Sequence, residues 1–112
     1  MEIGISTGLL YKRDLIESLH LIKEAGFNNI EVWAVTGKEG KCVHYDYHDW
    51  DYTKRLKDRV EELGLRVVSL HAPFSEELDI SLIEEDKRRS AVSEIEKAID
   101  VLEFLKGEVL VF

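Results

Sequence analysis

The stretch His44-Tyr45-Asp46-Tyr47-His48-Asp49-Trp50-Asp51 packs two histidines, three aspartates and three aromatic rings into eight consecutive residues. Imidazoles beside carboxylates invite a metal reading, but the spacing follows neither a cysteine-containing zinc pattern nor a helical HExxH. A loop rich in rings and hydrogen-bonding groups better suits a wall or lid over a polyol, with His48 as its substrate-binding candidate. An ordinary solvated loop has the same composition, and that alternative stays open.

Three more candidates lie in short β-favouring runs. His71 closes Val68-Ser69-Leu70-His71. A neutral imidazole at a strand tip can bind a divalent ion or hydrogen-bond a substrate, so His71 is both a metal-ligand and a substrate-binding candidate. Glu31 sits inside Ile30-Glu31-Val32-Trp33. A carboxylate facing inward needs a cation, a metal or several donors, because burying it alone is expensive. A structural salt bridge or hydrogen-bonded site residue meets that need as well as acid–base chemistry does. Trp33 offers an apolar wall for a sugar, or simply core. No residue is assigned as a catalytic acid, base or nucleophile. Cys42 has no partner cysteine, which excludes an intrachain disulfide and leaves an incidental thiol as the plain reading. The acids Glu84-Glu85-Asp86 followed by Lys87-Arg88-Arg89 need no function, since acids offset the dipole of a first helical turn and bases behind them pair at helical spacing.

The elements that must position these residues alternate. Strands are predicted near 2–6, 29–33, 65–71 and 108–112, and helices near 14–25, 52–63 and 82–105. Asp14 with Glu17, and Ser81 with Glu84, have the spacing of capping boxes. Gly26, Gly64 and Gly107 mark helix ends, with Gly26 placed for a left-handed cap. The segment Ile22 to Trp33 parallels Val60 to His71, so one unit is reused. Strand–helix alternation implies an α/β fold with parallel strands joined by right-handed crossovers. No GxGxxG or GxxxxGK[ST] follows the first strand, which removes the usual support for a nucleotide-binding open sheet. Alternation along the strands puts Ile30, Val32, Val68 and Leu70 on a helix-packed face. Asn29, Glu31, Trp33, Val67, Ser69 and His71 fall on the other, with polarity rising toward the strand C-termini.

The chain has 112 residues, 45% of them hydrophobic and 34% charged, with a formal net charge of −8. That balance fits one globular domain spanning 1–112. It argues against nucleic acid and anionic membranes, whose binding draws on basic patches. No apolar run approaches the roughly 20 residues of a membrane span, and the opening residues lack a leader pattern, so a cytoplasmic location is expected.

The segment Val68-Ser69-Leu70-His71-Ala72-Pro73-Phe74, the later Leu78-Asp79-Ile80-Ser81 and Arg88-Arg89, the opening Gly4-Ile5-Ser6, and Gly26-Phe27 leading to Ile30-Glu31-Val32-Trp33 resemble the xylose-isomerase-like sugar phosphate isomerase/epimerase family, which is related to endonuclease IV. The resemblance covers nearly the whole chain. It implies a parallel (βα)3β half of a (β/α)8 TIM barrel, incomplete on its own, because such barrels run to about 250 residues. It further implies metal-assisted proton transfer on a sugar or sugar phosphate, with manganese or zinc as the divalent ion, through ligands and paired glutamates on strands five to eight. The chain alone is then expected to be inactive and to bind metal weakly or not at all. An endonuclease IV-like DNA repair fragment and a non-enzymatic half-barrel subunit or folding unit are the alternatives. Unpaired outer strands predict self-association or a separate C-terminal half as partner.

Overall fold

The computed structural model describes residues 2–34, 43–73, 75 and 78–112. Cys42 and Phe74 lie outside the described residues. Strand β1 (Gly4–Ser6) leads into a 3-10 turn (Thr7–Leu10) and helix α1 (Leu15–Glu24). Strand β2 (Asn29–Trp33), helix α2 (Trp50–Glu62), strand β3 (Arg66–His71), helix α3 (Glu85–Phe104) and strand β4 (Val109–Val111) follow. The strands form one parallel sheet in the order β1-β2-β3-β4.

Local chemistry explains most boundaries. Asp14 caps α1 by accepting the Glu17 N–H at 3.1 Å, and Asp49 caps α2 by accepting the Tyr52 N–H at 3.0 Å. The last residues of the acidic, aromatic stretch are therefore the first turn of α2, which starts before residue 52. The expected Ser81/Glu84 capping box does not form. Asp79 accepts both the Ser81 N–H and its hydroxyl, at 2.8 and 2.7 Å, which holds Ser81 in the preceding turn. Helix α3 starts at Glu85 instead, and its N-cap Glu84 makes no side-chain cap bond.

All three helices end in the same paired-carbonyl motif. Gly26 donates to the Lys23 carbonyl and Phe27 to that of Ile22; Gly64 and Leu65, then Lys106 and Gly107, repeat the pattern. The residue that turns left-handed is glycine in the first two (φ 96° and 65°) but Lys106 in the third (φ 60°). Gly107 comes one residue later, where an added Cβ would meet Leu102 Cδ1 at 2.3 Å. A side chain at positive φ is strained. Lys106→Gly is expected to raise the unfolding free energy by about 1 kcal/mol. An unchanged urea midpoint would show that the lysine offsets the strain.

The core lies between the helices and one face of the sheet. Leu15, Leu19, Ile30, Val32, Leu56 and Leu70 are wholly buried there. One expected face assignment is corrected. Ile30 pairs with Val67 but Glu31 pairs with Ser69, so Val68 is an extra residue in β3. That irregularity reverses the alternation behind it. Val67 joins the helix-packed core at 2% exposure, while Val68 is half-buried. No helix of the described residues is long and apolar enough to cross a membrane.

Candidate functional site

The parallel strands bring their C-terminal ends to one rim, where the register aligns Trp33 with His71 and His71 with Val111. One step back from the rim, the Ser69 hydroxyl donates to Glu31 Oε2 at 2.8 Å. Ser69 is buried and Glu31 half-buried, so this bond supplies one of the donors an inward carboxylate requires. His71 donates Nδ1–H to the Ala72 carbonyl at 2.8 Å, so Nε2 is the nitrogen outside that bond. The sheet thus brings Glu31, Ser69, Trp33 and His71 together.

Trp33 is fixed from three sides. Its backbone N–H donates to Thr7 Oγ1 at 2.9 Å. Its six-membered ring approaches Gly8, where an added Cβ would stand 3.1 Å from two ring atoms. Tyr11 meets it edge-on, with centroids 6.2 Å apart and planes at 90°. Thr7, Gly8 and Tyr11 are not among the candidate site residues that the sequence alone offers. A threonine, a glycine and an aromatic directly behind a first strand were the available signal.

His48 is not in this group. Its Nε2 hydrogen-bonds Glu94 of α3, which also accepts from the Tyr47 hydroxyl and, at 2.9 Å on its other oxygen, from Lys97 Nζ. Burial pushes the Glu94 carboxyl up, but bonds from Tyr47, Lys97 and His48 outweigh it and hold the group down at about 2. Burial likewise pushes the Tyr47 phenol up, and the Glu94 carboxylate adds to the shift. The stretch therefore anchors between two helices. Tyr45 bonds Thr53 at 2.6 Å, Tyr52 accepts the Ile16 N–H at 2.9 Å, and the Trp50 and Phe104 rings meet at a tilt of 49° with centroids 4.9 Å apart. Buried His44, 2% exposed, bonds the Arg13 carbonyl and the Thr7 hydroxyl.

Among the described residues no group of three or more His, Cys, Asp or Glu side chains is placed to hold a metal ion. His71 and Glu31 by themselves do not make a closed site.

Four parallel strands alternating with helices define the first half of a (β/α)8 barrel. Solved (β/α)8 barrels share this arrangement of strands and helices. The chain is similar to a D-psicose 3-epimerase solved in the presence of D-fructose, with TM-score 0.73 and 13% identity over 98% of this chain and 36% of that one. It is similar to a 3-keto-D-glucoside 4-epimerase from E. coli, with TM-score 0.71 and 19% identity over 98% and 36%. A sugar phosphate isomerase/epimerase from Parabacteroides distasonis aligns with TM-score 0.59 and 24% identity over 97% and 37%. At these identities the likeness is one of fold, and the chain spans little more than a third of each barrel. No family model matches the sequence, and no curated protein does.

Proposed function

We propose that residues 1–112 act as one unit, the N-terminal half of a sugar or sugar-phosphate isomerase or epimerase barrel, working in the cytoplasm on a small sugar or polyol. The observation that supports this most is the Glu31–Ser69 hydrogen bond and His71 beside a firmly held Trp33, on the rim where (β/α)8 barrels carry their sites. Glu31 and His71 would hydrogen-bond hydroxyls while the indole covers the apolar face of the ring. His48 would join only by releasing Glu94. Divalent-metal binding belongs to the complete barrel, with His71 as the ligand from this half, and isomerase activity is not expected of residues 1–112 alone.

The sugar reading is tested by titrating the chain with D-tagatose while following the 15N-labelled indole and amide signals. Shifts at Trp33, Glu31 and His71, reduced in His71→Ala, are expected. Shifts confined to other residues would sink the reading. An abasic duplex at low salt is expected not to bind, in keeping with the net charge of −8.

Among the described residues the outer edges of β1 and β4 have no neighbouring strand, and Ile3, Val109 and Phe112 are 68%, 54% and 64% exposed beside them. Two copies have the eight strands of a closed barrel. Sedimentation equilibrium at micromolar concentration is expected to show a dimer, and a well-folded monomer would rule this out.

A further inference from the structure

His44 lies outside the Glu31, Ser69 and His71 group, yet its ring is one bond removed from the residue that holds Trp33. The Trp33 N–H donates to Thr7 Oγ1 at 2.9 Å, and His44 Nε2 stands 3.1 Å from the same oxygen. His44 Nδ1 is 2.9 Å from the Arg13 carbonyl, which can only accept, so Nδ1 carries a proton. Thr7 and His44 are 0% and 2% exposed, which keeps the arrangement out of contact with bulk solvent. With its oxygen already accepting from Trp33, the Thr7 hydroxyl donates its own proton to Nε2. The network is complete when the imidazole is neutral. Adding a proton at Nε2 removes the acceptor of the Thr7 hydroxyl and places a charge in the interior.

We propose that His44 is a positioning residue whose protonation state sets the placement of the Trp33 ring, ordered when His44 is neutral and loosened when it is charged. The consequence for sugar binding rests on the reading of Trp33 as the sugar wall. Thr7 both anchors the Trp33 backbone and begins the 3-10 turn that carries Gly8 against the indole. A disturbance at its hydroxyl therefore reaches the ring from two directions. Among the charged and titratable groups, Asp14 at the cap of α1 acts on the His44 ring, and Tyr52 of α2 with Tyr45, Asp46 and Asp49 of its own segment line the cleft beside it. Asp14 and the carbonyls of Arg13 and Leu10 favour the protonated ring, but burial outweighs them and lowers its pKa below the ordinary 6.5. The switch therefore acts on the acid side of that value.

The test uses no sugar, so its result and that of the sugar titration stand apart. In Trp50→Phe, Trp33 is the remaining tryptophan. Between about pH 8 and about pH 4.5 its emission is expected to shift reversibly, with a midpoint below about 6.5 and with unchanged far-UV circular dichroism. Added His44→Gln, whose amide offers an N–H donor and a carbonyl acceptor but takes up no proton in this range, is expected to remove the shift. Thr7→Ser is expected to keep it. A shift that persists in His44→Gln overturns the proposal. If that variant does not fold, NMR of the unsubstituted chain decides. The His44 ring and the Trp33 backbone amide must titrate with one midpoint, and an amide that stays still while the ring titrates, or a ring neutral throughout, overturns it.

Discussion

Val67→Asp is expected to unfold the chain, whereas Val68→Asp should leave it folded. Val67 lies against the helix side of the sheet, where a Cβ added to Gly107 would meet its Cγ1 at 3.5 Å, and it borders Val60, Leu65 and Leu105. An aspartate there loses the apolar contact and buries a carboxylate against the core. The expected cost is about 4 kcal/mol or more, enough to unfold a marginally stable chain. Val68 is half-buried on the opposite face, where an aspartate keeps contact with water, and the cost should be about 1 kcal/mol. Circular dichroism and urea midpoints of the two variants provide the measurement. Simple alternation predicts the reverse order, and equal midpoints would remove the argument for the irregularity at Val68.

The second large effect concerns acid stability. Glu94 is 20% exposed and takes donors from Tyr47, His48 and Lys97, which hold its carboxyl at about 2 against an ordinary 4.5. Between those values the unfolded chain binds a proton at Glu94 that the folded chain does not. The contribution of Glu94 to stability is therefore fully present above about pH 4.5 and lost as pH falls toward about 2. Its size should be on the order of 2 kcal/mol. Glu94→Gln is expected to lower the urea midpoint at neutral pH and to converge with the unsubstituted chain near about pH 2. Comparing the two chains cancels the titration of the other carboxylates. Parallel curves that never converge would show that Glu94 contributes shape and not charge.

The alternation of strands and helices is written in short-range signals. Asp14 caps α1 through a residue three positions away, and Gly26 and Gly64 take the left-handed φ that ends two helices. Such interactions span a turn or less, so the residue order carries them. The placement of Glu31, Trp33, Ser69 and His71 on one strand face also follows from alternation and a repeated unit. Alternation suits an open sheet as well as a barrel, and the half-barrel was what the resemblance implied. What the residue order does not carry is competition between partners. Asp79 takes Ser81 from its expected helix cap, and Lys106 takes the strained position ahead of Gly107.

The acidic, aromatic stretch shows this limit most clearly. Read alone, His48 looks free to meet a substrate, and His44 looks like its equal. The tertiary structure separates them, because Glu94, 46 residues away along the chain, engages the His48 ring, while Thr7, 37 residues away, engages His44 inside the core. Neither partner has a spacing that marks it in the sequence. Sequence alone determined which elements form and which strand ends carry polar groups, since those depend on residues a few positions apart. Only the packed structure decided which histidine is buried, which carboxylate receives the tyrosine hydroxyl and which valine faces the helices. Those outcomes depend on distances between segments that meet only when the sheet and its helices close on one another.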